Sequence, residues 1–248
     1  MYIKPSSSLH PEIENLILYT SMQYRSSLKK KKEENSQVKL KMAVDRVLSS
    51  PALPSNEPGT ILIETANLII RRWSISDAPA LAKAANYPEV AENLRDRFPM
   101  PYSYADAEDY LTNYTVSPEG YPHAVAIFVK PNSGHNTSNE PLFIGGAGLE
   151  SKGDVYYRTW ELGYWFTPSA WGNGYATEFG KAFVPWAFKT WPRLNRIEAG
   201  VYDRNEASKN VLRKCGFTSE GLRRGALEKN GEVLDESLWG IVRSDIEQ

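Results

Sequence analysis

Trp171-Gly172-Asn173-Gly174-Tyr175-Ala176 puts two glycines two positions apart, just before an apolar pattern of helical period. Glycines at a helix start suit an anion. Without a Cβ the backbone can approach a ligand closely, and the free amides and dipole of the first turn favour negative charge by roughly 0.3–1 kcal/mol. Three phosphate cradles use this arrangement. A P-loop needs Lys and then Ser/Thr directly after its second glycine, where Tyr175, Ala176 and Thr177 stand instead. A dinucleotide-binding turn needs a small residue three past its second glycine and a continuously apolar strand before it. Thr177 fills that slot, and Glu161 and Gly163 interrupt the strand, although Glu198 lies near the spacing of a ribose-binding acid. The third cradle is a six-residue turn, polar-x-x-Gly-x-Gly/Ala, that holds a pyrophosphate on successive backbone N–H groups. Trp171–Ala176 meets all but its first requirement. Glycines also serve plain strand–helix turns, so the hexapeptide alone leaves both readings open.

The composition narrows the field. The 248 residues carry 29 basic and 30 acidic side chains, a balance with no general pull towards nucleic acid. A single cysteine, Cys215, excludes an internal disulfide, and the scattered His10, His123 and His135 do not form a metal set. No apolar run approaches the ~18 residues of a membrane helix, and the first residues lack a secretory h-region. A cytoplasmic protein without membrane or nucleic-acid partners is expected. Lys29–Lys32 reads either as a nuclear localisation run or as a solvated charge run.

The elements that must position the hexapeptide follow from periodicity. Residues 1–59 form a basic extension and linker, expected to be partly disordered or helical, with rough helical spacing at Ile13, Leu16, Ile17 and Tyr19. Leu68–Trp73 reads as a strand. Ser76 is placed to cap a helix, and Ser103 with Asp106 forms a capping-box start for a second. His123–Lys130 alternates as a strand does, Pro131–Pro141 is a polar loop, and residues 142–150 and 158–166 are two further strands. The glycine-led helix carries Pro185, which removes a backbone donor and should kink it. Asn195–Tyr202 is a strand. The next helix shows Ala207, Val211, Leu212 and Cys215 on one face and stops at Gly216. A hairpin turning at Asn230-Gly231 closes the chain. The order implies an α+β layout around one mixed sheet.

Residues 161–178 (ELGYWFTPSAWGNGYATE), the Asn205-Glu206-Ala207-Ser208 start of a helix ending Lys214-Cys215-Gly216-Phe217, and the final hairpin together resemble the GCN5-related N-acetyltransferases. The resemblance is to the RimJ/RimL-like branch that acetylates protein N-termini, and it covers about residues 66–244. It implies a twisted mixed sheet with helices on both faces and a parallel strand pair that splays apart. It implies acetyl-CoA as co-substrate, with no metal. The pantetheine would pair with backbone around Trp165, Phe166 and Thr167. The pyrophosphate would sit on Gly172, Asn173, Gly174, Tyr175 and Ala176. Asn205 would lie near the pantetheine or simply cap its helix. Trp171 replaces the polar residue that often opens the turn in the wider superfamily. The polar loop and the two early helices would rim the acceptor side.

The reaction implied is attack of a neutral amine on a thioester. Neutralising an α-amine at pH 7 costs about 1 kcal/mol, against roughly 4.6 for a lysine, so a weak base or water chain suffices for a protein N-terminus. Glu161 is the candidate base, with an ion pair on an exposed face as its other reading. Ser208, at the family position near the sulfur, is the candidate acid, with Tyr202 as the alternative. Tyr164 and Phe166 are assigned to the core, Trp165 to the opposite face. Cys215 reads as a small hydrophobe rather than a nucleophile. The acceptor is a protein N-terminus or a small amine; the sequence leaves that choice, and the number of copies that associate, open. A non-catalytic acyl-CoA-binding or protein-interaction module on the same fold is the alternative function.

Overall fold

The computed structural model describes residues 23–37, 48, 50–52, 54–116, 122 and 124–246. Contacts divide the chain into Met1–Val47 and Leu48–Gln248. In the first unit, residues 23–37 form an exposed helix, α1, that includes Lys29–Lys32. The helical spacing at Ile13–Tyr19 lies outside the described residues. The second unit begins at Leu48 because Leu48 packs in the core and buried Arg72 reaches back to the Pro54 carbonyl and the Asn56 side chain.

The second unit is built on an eight-stranded sheet. Its strands are β1 (Ile61–Glu64), β2 (Leu68–Arg72), β3 (Ala124–Val129), β4 (Leu142–Ser151), β5 (Thr159–Phe166), β6 (Arg196–Tyr202), β7 (Thr218–Lys229) and β8 (Glu232–Val242). They lie in the order β1-β2-β3-β4-β5-β6-β8-β7. All neighbours are antiparallel except β5 and β6. The helices are α2 (Ala78–Ala85), α3 (Pro88–Ala91), α4 (Tyr104–Asn113), α5 (Tyr175–Thr190), α6 (Glu206–Lys214) and α7 (Arg243–Ile246).

Helices cover both faces. One face packs Val125, Ile127, Trp160 and Ile197 against Phe179 and Phe183 of α5 and Leu212 of α6. The other packs Ala124, Ala126 and Phe128 against Leu81 of α2 and Ala107 and Leu111 of α4. β3 is therefore buried at every position rather than on alternate ones, as befits a central strand between two helical layers.

Most predicted stops and caps appear. Ser103 and Asp106 complete their capping box. Gly216 ends α6 at φ +90°, and Asn230 and Gly231 both take positive φ in the hairpin turn. Three expectations change. Ser74, not Ser76, accepts the capping bond, because a 3-10 turn at Ile75–Asp77 precedes α2. β1 is an added strand at the sheet edge. Ala207 is exposed, and of its predicted helix face only Leu212 is fully buried. α5 runs through Pro185.

Gly180 lets α5 and α6 meet. A Cβ there would stand 2.5 Å from the Cys215 sulfur, whose thiol donates to the Thr177 carbonyl at 3.6 Å. Gly180→Val is expected to destabilise the protein by about 1–3 kcal/mol through overpacking, with Cys215→Ala recovering part of the loss; denaturant unfolding measures both.

Candidate functional site

The parallel pair is where the sheet comes apart. β5 and β6 pair only at Thr159↔Arg196, Trp160↔Ile197 and Glu161↔Glu198. Beyond that register β5 continues to pair with β4 as far as Phe166↔Gly145, and β6 with β8 as far as Tyr202↔Glu236. A wedge opens between Leu162–Phe166 and Ala199–Tyr202. The Thr167 amide is spent on the Ile144 carbonyl of the β4 side. Backbone direction alternates along a strand, so Tyr164 and Phe166, rather than Trp165 and Thr167, turn their backbone groups into the wedge.

Past the end of β5 the chain makes the glycine turn. The Trp171 indole N–H donates to the Phe166 carbonyl at 2.8 Å and so caps the strand end. Asn173 holds the turn through a 3.0 Å bond to the Trp171 carbonyl. Gly172 and Gly174 take φ +77° and +81° and have open space where a Cβ would be. The first backbone bond into α5 is from Glu178 to the Gly174 carbonyl. Among the described residues, no acceptor meets the N–H groups of Gly172 through Thr177. Six consecutive partnerless amides at a helix N-terminus have the chemistry to meet an anion, and no atom lies within 4 Å of a Cβ placed at Gly172 or Gly174.

Two groups brace this turn. The Glu178 carboxylate binds the Thr65 hydroxyl at 2.6 Å and the Asn67 amide at 2.8 Å. The loop Pro131–Pro141 packs here too: His135 bonds the buried Tyr175 hydroxyl through Nδ1 at 2.9 Å, and Ser133 bonds Asn67. This part of the loop therefore braces the cradle rather than the acceptor side. Burial opposes charge on Glu178, but its bonds to Thr65 and Asn67 and the charge of Lys130 win, so its carboxyl sits below the usual range. That contribution to stability is complete above the unfolded carboxyl value near pH ~4.3 and is lost as pH falls through the lower folded value. Glu178→Gln is expected to flatten the acid end of the thermal midpoint against pH.

The predicted catalytic residues fall on opposite faces of the wedge. On the α5–α6 face, Asn205 caps α6 by accepting the Ser208 amide at 3.0 Å; its Nδ2 has no partner among the described residues. The Ser208 Oγ lies 2.8 Å from the Tyr164 hydroxyl. Cys215 is half-buried on this face, and burial pushes its thiol up, against the nearby Lys181 charge, which disfavours a nucleophilic thiolate.

On the other face lie Glu161 and Tyr202. The ion pair given as the other reading of Glu161 is present. Arg95 pairs with the Glu161 carboxylate, and the glutamate side chain is 23% exposed. Glu150, Glu161 and Glu198 are directly opposite one another across three strands. Such a row of like charges repels, and each member has its own cation: Arg97 for Glu150 at 2.8 Å, Arg95 for Glu161, and Lys152 with Arg196 for Glu198. Tyr202 donates its hydroxyl to the Leu94 carbonyl at 3.1 Å. The segment carrying Leu94, Arg95 and Arg97 thus crosses the wedge on this side, tied further by Arg204 to Glu92 and by Lys229 to Asp96. Trp165 faces this side, packed on Phe98 and Phe143.

Sequence reasoning missed two of these participants. Arg95 gave no signal, since its partner is 66 positions away. Tyr164 did give one: an inward tyrosine needs a partner for its hydroxyl. Among the described residues, no group of three or more His, Cys, Asp or Glu is arranged to hold a metal, and no helix is long and apolar enough to cross a membrane.

Residues 67–218 match the family described as Acetyltransferase (GNAT) domain. The Probable N-acetyltransferase YjcK of Bacillus subtilis is 30% identical over 192 residues, 75% of this chain and 100% of that protein. The Uncharacterized N-acetyltransferase YoaA of the same bacterium is 36% identical over 100 residues, 40% of this chain; the chain spans only 55% of that protein's length. Mycobacterium smegmatis RimJ, solved in complex with CoA-disulfide, shares the fold at a TM-score of 0.59 and 22% identity, over 77% of this chain and 88% of that one. By its sequence match, its mixed sheet and the wedge in its parallel pair, the chain belongs to the GNAT acetyltransferase family.

Proposed function

We propose that the protein transfers an acetyl group from acetyl-CoA directly to a primary amine, either a protein N-terminus or a small amine. The observation that carries this reading is the run of partnerless amides from Gly172 to Thr177, set beside a strand pair that parts. RimJ, which shares the fold, was solved with a CoA species. The amides would take the pyrophosphate, and the wedge-facing backbone of Tyr164 with the Phe166 amide would take the pantetheine, since the Phe166 carbonyl is held by Trp171; Asn205 Nδ2 would donate alongside. Acetyl-CoA supplies the activated acyl group. Glu161, on the far face, takes the amine's proton once the amine approaches past Arg95. Ser208, on the helix face, offers its hydroxyl to the thiolate that leaves.

Calorimetric titration with acetyl-CoA tests the first half. Micromolar binding supports the reading; no binding by the folded protein overturns it. Thiol release measured with an Ala-initiated peptide, a lysine peptide and spermidine then tests the second half. Binding without release to any amine would favour a non-catalytic acyl-CoA-binding protein.

A further inference from the structure

We propose that Tyr164 positions Ser208: its phenol fixes the serine hydroxyl so that the serine's own hydrogen points into the wedge. This rests on the reading of Ser208 as the group that meets the leaving thiolate.

The geometry is a tie across the mouth of the wedge. β5 and β6 lose their pairing after Glu161, and Tyr164 spans the gap from β5 to the first turn of α6. Its ring is held by Phe166 at 6.2 Å and Phe179 at 6.5 Å. Its hydroxyl lies 2.8 Å from Ser208 Oγ and 3.4 Å from the Ser208 carbonyl. Asn205 holds the Ser208 amide at 3.0 Å. Ser208 is therefore fixed at both its amide and its hydroxyl.

A free serine hydroxyl in a helix turns back to bond its own backbone, and a hydrogen spent there does nothing for a ligand. At 2.8 Å either hydroxyl can be the donor, and the phenol's one hydrogen also has the Ser208 carbonyl in reach at 3.4 Å. With that hydrogen assigned to Oγ, the shorter contact, the serine hydrogen is left for a second acceptor. That role needs Tyr164 to remain a neutral donor. Burial pushes its phenol up to about 12, with the Ser208 bond pulling the other way and Cys215 adding to the rise. Tyr202, the other tyrosine near the wedge, does not compete for the task, because its hydroxyl is committed to Leu94 on the opposite face.

Tyr164→Phe keeps the ring and removes only the tie. The test compares wild type, Tyr164→Phe, Ser208→Ala and the double variant by two readouts. One is kcat and KM with the amine that the wild type acetylates. The other needs no acceptor: the titration of bound CoA's thiol, followed by its ultraviolet thiolate absorbance. The expected result is a kcat about 10-fold lower in Tyr164→Phe, part of the 10²–10⁴ typical of acid–base assistance, with the KM for acetyl-CoA unchanged. The thiol titration moves upward in both single variants, and the double variant is no worse than Ser208→Ala. An impaired Ser208→Ala beside a normal Tyr164→Phe, or losses that simply add, overturns the inference and leaves the acid reading standing. A normal Ser208→Ala, or a wild type that binds no CoA, overturns the acid reading and this inference with it.

Discussion

A Gly174→Glu variant is expected to fold and to lose at least about 100-fold in acetyl-CoA affinity, some 2.7 kcal/mol. Gly174 caps α5 at φ +81°, and nothing lies within 4 Å of a Cβ placed there. The new side chain meets no clash and adds only the left-handed penalty, roughly 1–2 kcal/mol. Its carboxylate stands at the positive end of α5, where it can bond the amides that otherwise face outward. It competes with the pyrophosphate for the same donors and repels it. Gly174→Ala separates the two effects, since it carries the backbone strain without the charge and should keep most of the affinity. Calorimetry on both variants, with thermal unfolding as a check of folding, decides the matter. Full affinity in Gly174→Glu would mean that the glycines serve only the turn.

Glu161→Gln should lower kcat by about 100-fold or more, within the range for loss of a general base, while the acetyl-CoA affinity stays unchanged. The substitution also breaks the Arg95 ion pair, so it needs a partner experiment. Arg95→Ala breaks the same pair and leaves the carboxylate in place. The pair is partly exposed, with side chains 51% and 23% accessible, and such pairs contribute on the order of 1 kcal/mol or less. Neither variant should unfold. If Glu161 accepts the proton, Glu161→Gln is slow and Arg95→Ala stays within a few-fold of wild type. Equal losses in both would make Glu161 a structural partner that pins the crossing segment. A normal Glu161→Gln would leave proton removal to water, which is sufficient for an amine of low basicity.

How much of this was legible depended on the range of the interaction. Features decided within a few residues were readable. Ser103 and Asp106 are three apart and cap each other; Asn230-Gly231 needs two positive φ values and nothing else; alternation placed Tyr164 and Trp165 on opposite faces. The glycine spacing pointed to an anion site because φ and missing Cβ atoms are local properties. What depends on distant partners was not readable. An ion pair was one reading of Glu161, but its partner could not be named because Arg95 is 66 positions away. The polar loop carried no mark that Ser133 and His135 would brace the base of α5. Tyr164 was assigned to packing because periodicity gives the direction of a side chain and not what its hydroxyl meets 44 residues later.

The three-pair seam between β5 and β6 has a mechanical consequence. The sheet is two leaves, β1 to β5 and β6 with β8 and β7, hinged along a line only three residue pairs long. Two clasps span the free ends. Tyr164 to Ser208 closes the helical side. On the other side, Arg95 and Arg97 fasten the crossing segment to the first leaf, while Tyr202, Arg204 and Lys229 fasten it to the second. Past the seam, no strand pairing bridges the gap. What spans it is side chains, each of which a single substitution can remove while the strands that frame the gap stay as they are.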